Sequence, residues 1–275
     1  MDIDVAPGVR LRALDWSGPD PAVVLLHPNG FCAGLYEPLA DRLRQVARPI
    51  AIDLRGHGAS TAPTGADSYA FEQLAADVVA VLDALGLHGV VGVGGSLGGA
   101  VAVLVDRLDP GRWSRLLLAE PVAFPISDES AGTENPMAAA ARRRRDRFPD
   151  RTAVIQAYRD RPPLSQLAPE ALDAYVRWGT VEDGDGVRLA CRPEVEATVF
   201  EVSTGPDGAA AAWEHLPRLG APATILAGEQ TFLPDIFAEQ ATRTGAELVT
   251  VSGGHFVLHE DTARGAGLIR RYAFG

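Results

Sequence analysis

The chain contains no lysine; all 25 of its basic side chains are arginine. A phosphate loop of the G-x-x-x-x-G-K-[ST] type is therefore excluded, because its lysine is the group that reaches the phosphates. Cysteine is almost as scarce. Cys32 and Cys191 are too few for a disulfide framework and read as free thiols of a cytoplasmic protein. No Cys/His cluster has metal-ligand spacing, so no metal and no cofactor is expected. No apolar run approaches about 18 residues, so no membrane span is expected. The opening stretch, MDIDVAPGVRLRALDW, lacks the basic and apolar regions of a secretory signal. Positive charge is also short: the formal net charge is −11, which argues against nucleic acid as a partner. The expected partner is a small-molecule substrate, with the chain a monomer or a homodimer.

What is present is an alternation of short apolar runs and helical patterns. AVVLLH (22–27), RPIAID (48–53), GVVGVG (89–94) and RLLLAE (115–120) read as buried strands. A helical pattern covers 71–85 and stops at Gly86; another covers 97–108. This order predicts an α/β fold with a mostly parallel sheet flanked by helices. Between 122 and 213 the texture changes: NPMAAAARRRRDRF and APEALDAYVRWG look helical, and no apolar strand run appears. The alternation resumes with ATILAGE (223–229), a helix near 234–243, AELVTVS (246–252) and a helix from about 261 to 272. The expected organisation is a core made of residues 1–121 and 214–275, split by a mostly helical insertion over 122–213.

The densest glycine cluster surrounds one serine. VGVGGSLGGA (91–100) contains Gly94-Gly95-Ser96-Leu97-Gly98, a G-x-S-x-G between a predicted strand and a predicted helix. There the motif makes a nucleophile elbow: a turn too tight for flanking side chains, holding the serine hydroxyl out at the sheet edge. The other reading is a plain glycine-rich turn. A serine hydroxyl needs a base, and the base needs a carboxylate to hold it. Of the six histidines, His255 in SGGHFVLHED lies just after the last predicted strand, on the same edge as the elbow. His259 is its rival. His27 and His57 are expected to brace loops, and His88 to lie on the surface.

The ordered set LLHPNGF, DLRGHGAS, GGSLGG, LLLAEP, ILAGE and SGGHFV resembles the α/β-hydrolase superfamily over nearly the whole chain outside 122–213. The resemblance implies an α/β-hydrolase fold, with the insertion as its cap, Ser96 as nucleophile and His255 as general base and then general acid. One departure concerns the acid. The common aspartate two residues beyond the glutamate of AGE is missing, since Glu229 is followed by Gln230 and Thr231. Glu120, at the end of an earlier strand, is favoured over Asp235 and Glu229. The resemblance also implies oxyanion donors at the backbone N–H of Leu97 and of Asn29 in HPNGF, with Gly30 or Phe31 in its place if the loop is shifted. The Asn29 amide side chain is a further candidate, whereas Pro28 has no N–H to give.

The reaction implied is carboxylesterase-like cleavage of an ester, thioester or lactone through an acyl-enzyme. Serine at the elbow separates the chain from dehalogenases and epoxide hydrolases of this fold, which attack with an aspartate. Two alternatives stay open: C–C bond hydrolysis or lyase/cyclase chemistry using the same Ser/His, and a non-catalytic small-ligand receptor. In the cap, Trp178, Tyr158, Phe200 and Trp213 are candidate pocket walls or packing aromatics. The run RRRRDR (142–147) is either a site for an acidic substrate or a solvated face.

Overall fold

The computed structural model describes residues 1–126 and 135–274. The apolar runs form the centre of one eight-stranded sheet. Its strands are β1 (Asp2–Ala6), β2 (Val9–Asp15), β3 (Ala22–Leu26), β4 (Arg48–Ile52), β5 (Val90–Gly95), β6 (Trp113–Ala119), β10 (Ala223–Gly228) and β11 (Glu247–Val251). The order is β1-β2-β4-β3-β5-β6-β10-β11. From β4 to β11 every pairing is parallel, while β1 and β2 add an antiparallel edge.

Continuous apolar runs make these strands because both faces of the sheet are covered. Val24 and Leu26 of β3 and Leu116 and Leu118 of β6 face one layer. That layer holds α2 (Phe71–Ala84), α3 (Leu97–Leu108), α8 (Ala209–His215) and α9 (Pro234–Thr244). Val23, Leu25, Leu117 and Ala119 face the other layer, formed by α1 (Glu37–Leu43) and α10 (Thr262–Phe274). The period-2 alternation of β geometry divides one apolar string between two cores.

The β1–β2 hairpin adds two strands to those read from the sequence. Its two strands flank Pro7-Gly8, and a half-exposed edge hairpin leaves only a weak apolar signal.

The segment 136–203 carries helices α4 (Pro136–Arg142), α5 (Arg151–Arg159), α6 (Pro169–Trp178) and α7 (Pro193–Ser203). The expectation of no strands there is corrected. β7 (Arg147–Phe148), β8 (Thr180–Asp183) and β9 (Gly186–Leu189) form a small antiparallel sheet in the order β7-β9-β8. The β8–β9 turn is Gly184-Asp185, a two-residue hairpin signal in a segment with few apolar residues around it. The long helical reading of 135–148 also shortens, since α4 ends at Arg142. Nor does α8 behave as part of the insertion: Ala212 and Trp213 pack into the core against α3. The insertion has its own cluster, including Phe148, Tyr158 and Tyr175, which closes on Phe31, Leu35 and Phe256 of the core.

Candidate active site

The loops after β3, β5, β6 and β11 all leave the sheet at the same edge, because these strands run parallel. The sheet order changes direction at β3, whose neighbours are β4 and β5. This is the switch point at which α/β sheets open a crevice.

Ser96 sits in that crevice with φ 52 and ψ −116, a strained backbone for a residue with a Cβ. The surroundings hold it there. Its N–H donates to the Ala119 carbonyl at 2.9 Å, and its carbonyl accepts from Gly99 at 3.0 Å and Val122 at 3.1 Å. The flanking glycines are explained by contact rather than by torsion. A Cβ on Gly98 would overlap the Leu26 carbonyl of β3, and one on Gly94 would overlap the Gly98 carbonyl. Helix α3 lies against β3 and β5 at a separation only bare backbone permits. By contrast, a Cβ on Gly95 would meet nothing closer than 3.6 Å.

Glu120 follows β6 with φ 45 and is 1% exposed. Its Oε1 accepts from the Gly228 N–H at 2.8 Å, and its Oε2 accepts from His255 Nδ1 at 2.7 Å. Both carboxylate oxygens are thus occupied, one anchored to β10 and one on the imidazole. The loop behind Glu120 is pinned by Gln240 of α9, whose Nε2 donates to the carbonyls of Pro121 (3.1 Å) and Ala123 (2.6 Å). Asp235, in the first turn of α9, and Glu229, just past β10, are exposed. Neither bonds His255 among the described residues. His259 is buried with its ring edge-on to Tyr36 and has no carboxylate partner among the described residues.

On the β3 side, the loop 28–31 settles which N–H groups are free. Gly30 N–H donates to His57 Nε2 at 3.1 Å, and Phe31 N–H donates to the Pro28 carbonyl at 3.2 Å. The N–H groups of Asn29 and Leu97 have no acceptor among the described residues. The Asn29 side chain is engaged elsewhere, its Nδ2 donating to the Glu196 carbonyl at 3.0 Å. In this arrangement the N–H groups of Gly30 and Phe31 and one hydrogen of the Asn29 amide are engaged.

His27 and His57 are fully buried. The Nδ1 of each faces a carbonyl, of Pro28 (2.8 Å) and Arg55 (2.9 Å), and the Nε2 of each faces a backbone N–H, of Leu54 and Gly30. Carbonyls at Nδ1 assign the proton there; His57 Nε2 also lies 3.1 Å from Asn29 Oδ1, a contact that carries no hydrogen bond in this tautomer. Burial, and for His27 the neighbouring His57, keeps both neutral; the His57 value falls to about 4. Asp53 ties the same two loops together, accepting from Ala33 and Ala59, and burial raises its carboxyl to about 6.

Ser96, Glu120 and His255 open on one cavity of about 220 Å³. Its other walls are overwhelmingly apolar, among them Phe71, Phe124, Met137, Val199, Phe200 and Phe237. No arginine lines it among the described residues. The run 142–147 spends its charge elsewhere: Arg142 on Glu194 and Glu201, Arg144 on Glu196, and Arg147 on Asp183. Of the aromatics Trp178, Tyr158, Phe200 and Trp213, Phe200 reaches the cavity. Trp213 belongs to the core, Trp178 packs over Gly34, and Tyr158 bonds Arg144. Phe232, 75% exposed, stands at the mouth beside the His255 ring.

Cys32 and Cys191 are free and buried, and burial raises both thiols. Among the described residues no His/Cys/Asp/Glu group could hold a metal, and no helix is long and apolar enough to cross a membrane.

Comparison with known proteins fits this geometry. The chain is 47% identical over 125 residues to a non-heme chloroperoxidase of Streptomyces lividans, covering 44% of each. It is 35% identical over 121 residues to a putative 2-succinyl-6-hydroxy-2,4-cyclohexadiene-1-carboxylate synthase of Bacillus subtilis (strain 168), covering 43% of each. These matches span less than half the length of the curated relatives. Among solved structures, E-2-(acetamidomethylene)succinate hydrolase superposes with a TM-score of 0.86 at 20% identity, over 100% of this chain and 98% of that one. The model of the alpha/beta hydrolase family matches residues 23–267. The chain belongs to the alpha/beta hydrolase family.

Proposed function

We propose that this hydrolase is a serine esterase in the broad sense, cleaving the ester, thioester or lactone bond of a small molecule through an acyl-enzyme on Ser96. The observation that carries the reading is the hydrogen bond of His255 to buried Glu120, opening on the same cavity as a strained elbow serine. Glu120 accepts the Nδ1 proton, so the His255 lone pair is at Nε2, on the side that receives the Ser96 proton. No hydrogen bond joins Ser96 to His255 among the described residues, and such bonds tighten when substrate binds.

Attack on the carbonyl throws charge onto its oxygen. The N–H groups of Leu97 and Asn29 receive it, and the α3 N-terminus adds its dipole. His255 then gives its proton to the leaving group, and water repeats the sequence to release the acid. An apolar cavity of about 220 Å³ favours a neutral, apolar acyl group of short to medium length.

The test is p-nitrophenyl ester hydrolysis from acetate to decanoate, with Ser96→Ala beside the wild type and fluorophosphonate labelling of Ser96. Turnover peaking at short to medium chains and lost in Ser96→Ala supports the reading. A wild type that neither turns over nor is labelled refutes it. A second reading, C–C bond or lyase/cyclase chemistry with the same Ser/His pair, draws on the named activity of the Bacillus relative. It predicts a labelled Ser96 with poor ester turnover.

A further inference from the structure

Arg144 stands out from its neighbours in the arginine run. Arg142, Arg143, Arg145 and Arg147 are exposed, but the Arg144 side chain is 16% exposed and each of its three nitrogens donates a hydrogen bond. Nε donates to the Tyr158 hydroxyl at 3.0 Å, one terminal nitrogen to Glu196 Oε2 at 2.7 Å, and the other to the Tyr175 hydroxyl at 2.6 Å. The guanidinium also lies over the Tyr158 ring, 5.0 Å from its centroid.

Two of these three partners touch the loop that carries the free Asn29 N–H. The Tyr175 hydroxyl donates to the Gly30 carbonyl at 3.2 Å. The Glu196 carbonyl accepts the Asn29 side-chain amide, and its carboxylate lies so close to Gly30 that a Cβ there would stand 2.7 Å from Oε1. From the core side the same loop is held by His57 on the Gly30 N–H. Phe31 packs between Tyr175 (4.8 Å) and Phe256 (5.2 Å), the residue after His255. The loop is therefore gripped on one side by the core and on the other by the insertion. The insertion's grip converges on one cation.

We propose that Arg144 is a positioning residue for the oxyanion loop: it holds Tyr175 and Glu196 as a clamp on residues 29–30, so that the Asn29 N–H points where charge develops. Seating of the insertion is thereby coupled to the reacting centre without any contact between Arg144 and substrate. The proposal rests on the serine-hydrolase reading above. A planar fork serving three acceptors is not replaced by the point charge of lysine.

The test compares wild type, Arg144→Met, Arg144→Lys, Tyr175→Phe and Arg142→Ala on one p-nitrophenyl ester. Each is also titrated with phenylboronic acid, which forms a tetrahedral adduct on the serine. Loss of a whole oxyanion donor costs about 10²- to 10³-fold in kcat, and a displaced donor is expected to cost part of that. Arg144→Met should lower kcat by about 10-fold or more, with KM within about 3-fold, and weaken the boronate by a similar factor. Arg144→Lys and Tyr175→Phe should fall between Arg144→Met and wild type. Arg142→Ala, which loses exposed ion pairs of the same insertion, should match wild type.

A folded Arg144→Met with unchanged kcat and boronate affinity overturns the proposal, as does a loss confined to KM. If Arg144→Met does not fold, Tyr175→Phe decides: wild-type kcat and boronate affinity there overturn it. Failure of the underlying reading is visible separately, as an inert and unlabelled wild type, and the proposal falls with it.

Discussion

Replacing Glu120 by glutamine changes one oxygen for one NH2 and preserves shape, yet the structure makes it a severe test. Both carboxylate oxygens are committed: Oε1 to the Gly228 N–H, Oε2 to His255 Nδ1. A glutamine has one oxygen to share between two donors. If the oxygen stays on Gly228, the NH2 faces Nδ1. The imidazole must then carry its proton on Nε2 and has no lone pair for Ser96. If the amide flips, the NH2 meets the Gly228 N–H, and a buried donor is left unsatisfied at a cost of about 1–3 kcal/mol. Even the flipped form lacks the negative charge that stabilises the imidazolium, worth about 1.5–3 kcal/mol for a hydrogen bond to a charged group.

Together these losses amount to roughly 2.5–6 kcal/mol, or about 10²- to 10⁴-fold in kcat at 1.36 kcal/mol per tenfold. Glu120→Ala leaves the ring free to adopt either tautomer. It should therefore be the less stable protein but the better catalyst of the two. The assay is kcat on a p-nitrophenyl ester, with thermal melting to establish folding. A folded Glu120→Gln retaining more than a tenth of wild-type kcat, or outperforming Glu120→Ala, would refute the assignment of both oxygens.

Ser96→Gly should abolish ester turnover and raise stability. It releases about 1–3 kcal/mol of backbone strain and gives back about 0.4–1 kcal/mol through the freer unfolded chain; a melting temperature below wild type contradicts this. Gly98→Ala should fail to fold or melt far below wild type, because its Cβ overlaps the Leu26 carbonyl, while Gly95→Ala should melt close to wild type. A tolerated Gly98→Ala would show that α3 is not pressed against β3. Stability should fall on acidification from pH 7 to 5. His57, at about 4 when folded, and His259, at about 3, both held down by burial, bind protons in the unfolded chain near 6.5 but not in the native one. Buried His27 acts in the same direction. Asp53, raised to about 6, acts in the opposite sense between about 4 and 6, and one carboxyl is outweighed by three imidazoles. Melting curves at both pH values check the sign; an unchanged or higher melting temperature at pH 5 contradicts it.

The parallel core was legible because each strand is a short apolar string covered on both faces, and such strings are local. The elbow was legible for the same reason: the contacts that forbid side chains at Gly94 and Gly98 lie within a strand–turn–helix unit and the neighbouring strand. His255 could be picked from its place after the last strand, and Glu120 from the missing aspartate after AGE. Their pairing, 135 residues apart in sequence, depends on β6 lying beside β10 in the sheet, which no local pattern states. The hairpin at Gly184-Asp185 carried a readable turn signal in a segment too poor in apolar residues to attract notice.

What the sequence by itself determined was the class of fold, the strained serine and a short set of candidates for its partners, since these follow from periodicity, glycine sterics and chain order. Only the tertiary structure decided that the Asn29 N–H is free among the described residues while those of Gly30 and Phe31 are not, and that Glu120 uses both oxygens. It also decided that Arg144 turns inward, away from the rest of its run, onto Tyr158, Tyr175 and Glu196. Each of these is set by which groups meet across long stretches of chain, and identical arginines in a row acquire different roles only when the insertion closes on the core.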